Sequence, residues 1–324
     1  MKLASLNTGG RDGTLIVTNR ELTRYSAVPQ VAATLQQALE HWAVCVPQLQ
    51  EIYCELNEGT LEGNSLNINN LSAPLPRAYQ WLDGSAYLSH VERVRKARGA
   101  EMPASLLNDP LMYQGGSDRF LGPRDPIHAA DEAWGIDFES EVAVITDDVP
   151  LGCDANAAAN HIKLLMLVND VSLRNLIPAE LAKGFGFIHG KPPCAFSPVA
   201  VTPDELGNDW RDSKLHRPLI TTFNHELFGD PNAGEDMQFS FAQLIQHAAK
   251  TRPLGSGTII GSGTVSNHDV ARGCSCLVER RVLEIIEHGE AKTQFMKHGD
   301  RIHIDMLDDN GNSIFGSIDQ VLAP

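Results

Sequence analysis

The sequence lacks any apolar run that approaches the roughly 20 residues of a membrane-spanning helix. It also lacks a basic excess, because 26 Lys and Arg residues stand against 41 Asp and Glu residues, for a formal net charge of −15. This balance argues against a nucleic-acid partner or an anionic membrane surface, since both attract a basic face. A local cluster of cations can still hold an anionic small molecule, which is the partner we expect.

The six cysteines lack the paired CxxC spacing of structural zinc sites. The opening segment "MKLASLNTGGRDGTL" turns polar too early for the apolar core of a signal peptide, which is about 7–15 residues long. Cysteines scattered through a chain without an export signal are typically free thiols in a reducing compartment. We therefore expect a cytoplasmic protein without disulfides.

Strands and helices do not alternate regularly, which argues against a Rossmann fold or a βα barrel. The first 20 residues read as a hairpin, and helical patterns follow at 28–42 and 45–59. An irregular, proline-bearing stretch then predicts a domain boundary near residue 73. We expect a small α+β domain over 1–73 and a β-rich domain over 74–324.

Short β-type runs dominate the second part of the chain. The predicted elements there are strands at 137–146, 198–202, 217–223, 258–261, 276–286 and 300–307, and helices near 86–97, 153–160 and 238–249.

A glycine-rich segment, "GSGTIIGSG" at 255–263, resembles a nucleotide-binding loop only superficially. Its glycines follow G-x-G-x-x-x-G rather than the dinucleotide pattern, and no ribose-binding acid is evident after a following helix. The segment also does not fit the G-x-S-x-G nucleophile elbow. We interpret it as strand and turn near a substrate.

The segment "GIDFESEVAV" at 135–144 alternates as a strand, which places Asp137, Glu139 and Glu141 on one face. Like charges at this spacing repel. The run is therefore either a solvated edge strand or part of a cation site. Hard cations such as Mg²⁺ and Ca²⁺ take six or more oxygen ligands, so the second interpretation needs carboxylates from elsewhere in the chain.

Two further segments offer such carboxylates. Asp170 follows the apolar run 164–168, where an unpaired charge is costly. Asp83 precedes His90 by seven residues. Since seven residues make about two helical turns, the spacing predicts that both side chains project from one side of a helix.

Five segments occur together in one order: "LDGSAYLSH", "DFESEVAVI", "VNDVSLRN", "GFGFIHGKPPCAFSP", and "GSGTVSN" followed by "GCSCLVERR". In this combination the chain resembles the fumarylacetoacetate hydrolase family, in particular its bacterial two-domain members. The resemblance implies an α+β, β-rich fold with a catalytic domain of the mixed β-sandwich or roll type. It also implies a homodimer.

The resemblance further implies roles for individual side chains. These are metal-binding carboxylates at Asp83, Glu139, Glu141 and Asp170, a general base at His90 oriented by Glu279, oxyanion-stabilising cations at Arg174 and Lys191, and substrate contacts at Tyr113 and Thr264. The implied metal is Mg²⁺ or Ca²⁺, with Mn²⁺ as a further option.

Three positions depart from the family pattern. Ile177 stands where longer, eukaryotic-type enzymes have glutamine, so substrate recognition around 177–181 must differ. Lys191 lies one residue further from the metal aspartate than in those enzymes. Asp137 has no counterpart, and we expect it to face solvent or a partner of the ligands rather than the metal. Whether 177–190 forms a closing lid stays open.

The implied activity is cleavage of a carbon–carbon bond in a diketo or 2-oxo acid. The expected reaction converts fumarylacetoacetate to fumarate and acetoacetate in tyrosine catabolism, with the metal as Lewis acid and template. The alternatives on the same scaffold are a 2-oxo-pentenoate hydratase and an oxaloacetate decarboxylase. A more remote alternative is a catalytically silent, metal-bound binding protein.

Overall fold

The computed structural model describes residues 1–97 and 104–324. Strands are the most numerous elements in this part of the chain. They are β1 (Lys2–Leu6), β2 (Thr14–Thr18), β3 (Arg24–Ala27), β4 (Asn64–Ser65), β5 (Trp81–Gly84), β6 (Met112–Gly115), β7 (Ile127–His128), β8 (Ile136–Asp137), β9 (Ser140–Thr146), β10 (Ile162–Asn169), β11 (Ser172–Leu173), β12 (Ala195–Phe196), β13 (Ala200–Val201), β14 (Trp210–Arg211), β15 (Lys214–Leu215), β16 (Ile220–Phe223), β17 (Glu226–Gly229), β18 (Ile259–Gly261), β19 (Arg301–Asp305) and β20 (Ile318–Ala323).

The α-helices are fewer and mostly short. They are α1 (Leu35–Glu40), α2 (Trp42–Glu58), α3 (Leu88–Ala97), α4 (Ala155–Ala158), α5 (Ile177–Leu181), α6 (Phe241–Ala248) and α7 (Leu277–His288). None of the described helices is long and apolar enough to cross a membrane.

The strands assemble into two main sheets. The larger one runs β4-β3-β2-β1-β13-β10-β9-β18-β5-β6, with β12 paired to β10, and the smaller one runs β17-β16-β19-β20-β7. Most neighbours are antiparallel, whereas β18 lies parallel to β5 and β20 lies parallel to β7. Two short ribbons, β8–β11 and β14–β15, complete the pairing. The predicted α+β, β-rich fold is confirmed.

The centre of the large sheet is buried on both faces. Val142 and Val144 of β9 enter one apolar core, which includes β19, while Ala143 and Ile145 enter another, which includes α1 and α2. A strand covered on both sides has little solvent to hydrate a charge. The carboxylates at the end of this sheet therefore need partners or a cation.

The N-terminal hairpin forms as predicted, but it does not stand apart. Strand β1 pairs with β13, so the first strands extend the same sheet that holds the central strands. The first N-terminal helix is shorter than its predicted range of 28–42, whereas the second begins three residues before its predicted range of 45–59. The boundary near residue 73 stays a prediction.

Two predicted strands are wrong in form. The predicted strand 276–286 is instead helical from residue 277 onward, in α7. The first two N–H groups of this helix donate to the Asp137 carboxylate, a long-range cap that local β-propensity does not register. The predicted strand 137–146 is broken between β8 and β9. At the break, the Glu139 N–H donates to the side-chain oxygen of Asn169 in β10 at 3.2 Å rather than to a backbone carbonyl of that strand.

Candidate active site

Three carboxylates converge at one end of the large sheet. Asp83 lies in β5, Glu141 in β9, and Asp170 directly after β10. One oxygen from each lies within 4.8 Å of the others, and all three residues are buried. Such an all-oxygen cluster suits a hard divalent cation. The structure thus brings together three of the four predicted ligands.

Glu141 tests whether a cation fits here. Both of its carboxylate oxygens are buried, and neither has a hydrogen-bond partner among the described residues. Burial, together with the Asp83 and Asp170 charges, raises the pKa of Glu141 well above its ordinary value. Burial and Asp170 likewise raise the pKa of Asp83. A divalent cation would satisfy these oxygens and remove the repulsion, so the residues fit a metal site.

Glu139, the fourth predicted ligand, has a different environment. Its Oε1 accepts hydrogen bonds from Arg174 Nη2 at 2.6 Å and Thr264 Oγ1 at 2.7 Å. Its Oε2 accepts from Lys191 Nζ at 2.6 Å and Ser172 Oγ at 3.0 Å. Although burial alone would raise its pKa, Arg174 and Lys191 hold the pKa of Glu139 well below its ordinary value. Its role as a metal ligand stays a prediction.

Asp170 links the acid cluster to the neighbouring cation. Its Oδ2 accepts hydrogen bonds from Lys191 Nζ at 2.5 Å and from Tyr113 Oη at 2.7 Å, and its Oδ1 accepts from Cys194 Sγ at 2.8 Å. Burial alone would lower the pKa of Lys191, but Asp170 and Glu139 outweigh it and raise that pKa. Lys191 is therefore a fixed positive charge between two carboxylates.

His90 and Glu279 form the predicted dyad. His90 Nδ1 lies 2.7 Å from Glu279 Oε2, across 189 residues of sequence. The prediction that Asp83 and His90 project from one side of the same helix is wrong, because Asp83 is in strand β5 and His90 is in helix α3. The short connection between these two elements places both side chains on the same cavity.

Two further residues, Arg93 and Ser266, contact the acid of this dyad, and the sequence analysis did not identify them. Arg93 Nη1 and Ser266 Oγ both donate to Glu279 Oε1, the latter at 2.8 Å. Although burial favours the neutral acid, His90 and Arg93 hold the pKa of Glu279 below its ordinary value. Arg93 follows His90 by three positions on α3, a spacing that places both on one helical face and could have suggested the contact.

Replacing Arg93 with glutamine is expected to raise the pKa of Glu279 toward its ordinary value, because the guanidinium is one of the charges that hold that pKa down. A lowered carboxyl pKa stabilises the fold above the pKa of the unfolded chain, so the variant should lose free energy of unfolding at neutral pH and lose less of it in acid. Urea unfolding at several pH values measures this difference. The matched control is Arg281→Gln, which removes a positive charge from α7 and loses a bond to the Thr293 carbonyl and the contact of the guanidinium with the Phe295 ring. A loss of the same size at acidic and at neutral pH would refute this electrostatic role.

A cavity of about 190 Å³ connects these groups. Its wall includes the dyad histidine, one acid, the two cations and both predicted substrate contacts. These are His90, Glu139, Arg174, Lys191, Tyr113 and Thr264. Ile177 and Phe187 add apolar surface, and Phe187 packs edge-on against Tyr113 with ring centroids 5.3 Å apart. The departure from glutamine at position 177 thus falls on the cavity wall itself.

The Glu180 side chain ties the two ends of the segment 177–190 together. The Glu180 carboxylate accepts hydrogen bonds from the N–H groups of Ile188, His189 and Gly190 at 2.8–2.9 Å. Between these anchors, the Phe185 side chain is fully exposed. Whether this segment closes over the cavity stays open.

The glycine-rich segment contains strand β18 and lies beside Asp83 of the acid cluster, and its place near a substrate stays a prediction. The Gly263 N–H donates to Asp83 Oδ1 at 3.1 Å, and this residue has φ +78°, a conformation that favours glycine. A Cβ atom on Gly261 would lie 2.4 Å from the same Asp83 oxygen. Both glycines therefore permit close approach of backbone to a site carboxylate.

Asp137 does not face solvent. It is fully buried, and its carboxylate accepts a hydrogen bond from Arg174 Nε at 2.8 Å as well as from the start of α7. The prediction that Asp137 faces solvent is therefore wrong. Asp137 also lies outside the group of carboxylates whose oxygens converge.

Two family models match the chain. Residues 80–321 match the fumarylacetoacetate (FAA) hydrolase C-terminal domain, and residues 1–77 match the fumarylacetoacetase N-terminal domain 2. The oxaloacetate tautomerase YisK of Bacillus subtilis (strain 168) is 24% identical over 246 residues, which cover 74% of this chain and 70% of that protein.

Solved structures share the fold over the whole chain. The fumarylacetoacetate hydrolase of the psychrophile Exiguobacterium antarcticum gives a TM-score of 0.68 at 19% identity, covering 100% of this chain and 99% of that one. The maleylpyruvate hydrolase of Sphingobium sp. SYK-6 gives a TM-score of 0.66 at 14% identity, covering 100% of both chains. At these identities the likeness establishes the fold alone.

Proposed function

This chain belongs to the fumarylacetoacetate hydrolase family, and on that premise we propose that it is a metal-dependent hydrolase of a carbon–carbon bond in a diketo acid. Fumarylacetoacetate is the expected substrate. The observation that carries the proposal is the His90–Glu279 pair at 2.7 Å, on a cavity that also reaches Asp83. A base–acid pair of this kind activates water, and hydrolysis requires activated water.

Asp83, Glu141 and Asp170 would hold the metal, with Glu139 as the proposed fourth ligand. The Glu141 carboxylate supports this assignment, because its oxygens find no hydrogen-bond partner in the part of the chain that the structure describes. When bound, Mg²⁺, Ca²⁺ or Mn²⁺ would supply Lewis-acid polarisation of substrate oxygens. Arg174 and Lys191 line the same cavity, and their charges would stabilise a substrate carboxylate and the oxyanion that develops during attack.

The dyad would move one proton out and back. With Nδ1–H donated to Glu279, the Nε2 atom of His90 is left to accept a proton from water. The resulting hydroxide adds to a carbonyl carbon, and the bond to the adjacent carbon breaks with its electron pair on that carbon. The imidazolium then returns its proton there. One water is consumed, and fumarylacetoacetate yields fumarate and acetoacetate.

A second candidate is an oxaloacetate tautomerase, which the named activity of the Bacillus subtilis relative supports. In that reaction His90 would move a proton between carbon and oxygen of a 2-oxo acid, and no carbon–carbon bond would break. The same dyad and carboxylates serve both reactions. Product analysis therefore has to separate them.

We expect the Mg²⁺-loaded protein to cleave fumarylacetoacetate or a related acylpyruvate, with one ¹⁸O atom from labelled water in the new carboxylate. Oxaloacetate is assayed in parallel for enol–keto exchange and for CO₂ release, and a 2-oxo-pentenoate for hydration. Mass spectrometry and proton NMR identify the products. Oxaloacetate exchange without cleavage of any diketo acid would favour the tautomerase, and rapid CO₂ release would favour a decarboxylase.

A further inference from the structure

One buried carboxylate outside the proposed metal site contacts two separate parts of the proposed catalytic apparatus. Asp137 Oδ1 accepts a hydrogen bond from the Leu277 N–H at 2.7 Å. Its Oδ2 accepts from the Val278 N–H at 3.0 Å and from Arg174 Nε at 2.8 Å. All three partners are donors, so both oxygens of this fully buried side chain act as acceptors.

The first contact fixes the start of helix α7. Leu277 and Val278 are its first two residues, whose N–H groups have no partner within the helix. Cys276, which precedes the helix, makes no capping side-chain bond, so the carboxylate of Asp137 serves as the cap. Glu279 is the next residue, and it reaches His90 from this first turn.

The second contact fixes the guanidinium of Arg174. Strands β8 and β11 pair with Asp137 opposite Ser172. Arg174 is the first residue after β11, so it lies close to Asp137. The guanidinium places Nε on Asp137 and Nη2 on Glu139 Oε1, at 2.8 and 2.6 Å. Two bonds from one planar group define its orientation at the cavity wall.

We propose that Asp137 is a positioning residue that sets Arg174 and the Glu279–His90 dyad in one fixed relation. Arg174 and Glu279 lie 105 positions apart in sequence, and this carboxylate contacts the first directly and the turn that carries the second. The catalytic consequence rests on the proposed function, whereas the physical coupling does not.

The kinetic test is Asp137→Asn, which preserves size but turns a donor toward N–H groups that need an acceptor. We expect kcat to fall about 10–100-fold, the range for a small misplacement of reacting groups. Mg²⁺ affinity from calorimetry should stay within threefold, because the carboxylate contacts none of the three converging ligands. The matched control is Asp305→Asn, an equally conservative change at a half-buried aspartate bonded to Ser313 and the Met306 N–H.

Arg174→Lys removes the planar guanidinium that bonds to both Asp137 and Glu139. We expect it to lower kcat about as much as Asp137→Asn does. The double variant should fall no more than about twofold below the weaker single variant, because coupled residues are not additive. Effects that multiply, or a kcat within twofold of the wild type in Asp137→Asn, would overturn the proposal.

A spectroscopic readout keeps the inference separate from the reaction. The Arg174 Nε–H cross peak, assigned by its loss in Arg174→Lys, is expected to shift or disappear in Asp137→Asn, and the His90 ring ¹⁵N signals should shift in both variants. If Asp137→Asn does not fold, the His90 signals of Arg174→Lys decide. Unchanged signals overturn the coupling, and a wild type that turns over no substrate would refute only the proposed function.

Discussion

Replacing Glu141 with alanine is expected to weaken Mg²⁺ binding by more than about 100-fold, since even the outer partners of metal ligands change affinity roughly 10–100-fold. The carboxylate is buried, and the described residues offer its oxygens no hydrogen-bond partner. Asp83 and Asp170 approach it with one oxygen each within 4.8 Å. Calorimetry with Mg²⁺ and with Ca²⁺ measures the change.

In the isosteric variant Glu141→Gln, stability and metal affinity are expected to change in opposite directions. In the metal-free protein, burial and the Asp83 and Asp170 charges disfavour the ionised form of Glu141, so replacing it with a side chain that cannot ionise should raise the free energy of unfolding measured in urea at neutral pH. Metal binding should fall in the same variant. Unchanged Mg²⁺ affinity in both variants would remove Glu141 from the ligand set, and a loss of stability in Glu141→Gln would show that its oxygens have a structural partner.

Replacing His90 with alanine is expected to cut turnover by at least ~10²-fold, the lower range for loss of a general base. His90 binds Glu279 through Nδ1 and lies outside the Asp83, Glu141 and Asp170 group, so Mg²⁺ affinity should remain within a few-fold. Added imidazole should restore part of the activity if the ring acts only as a base. Steady-state kinetics and calorimetry test the two halves separately.

A surface histidine provides the control for this variant. His128→Ala removes an exposed ring that lies 2.9 Å from the Pro324 carbonyl and should leave turnover unchanged. Activity within a few-fold of the wild type in His90→Ala would refute the base assignment. Loss of Mg²⁺ binding in that variant would instead indicate that His90 supports the metal.

Local pattern predicted much of this protein because some features depend on neighbours in sequence. The N-terminal hairpin and helix α6 follow from turn residues and apolar spacing over a few positions. Asp170 could be recognised because it directly follows the buried strand β10. The five ordered segments indicated the family, and the family models confirm it.

Long-range contact decided the remainder. Residues 277–288 form a helix whose cap comes from Asp137, and this capping contact spans 140 positions. A local β-pattern cannot register such a cap. The strand through 137–146 breaks at Glu139, so its alternation did not predict which acids share a face.

The sequence by itself determined which residue types were available to the site: acids at the ends of buried strands, a histidine, and cations on long side chains. The tertiary structure decided how they pair. Among the described residues the Glu141 carboxylate has no hydrogen-bond partner, whereas the Glu139 carboxylate has four. Only the folded chain brings Arg174, Lys191 and the two hydroxyl donors to Glu139. The physical reason is that a carboxylate's chemistry depends on burial and on charges within a few ångströms, and those neighbours come from distant parts of the chain.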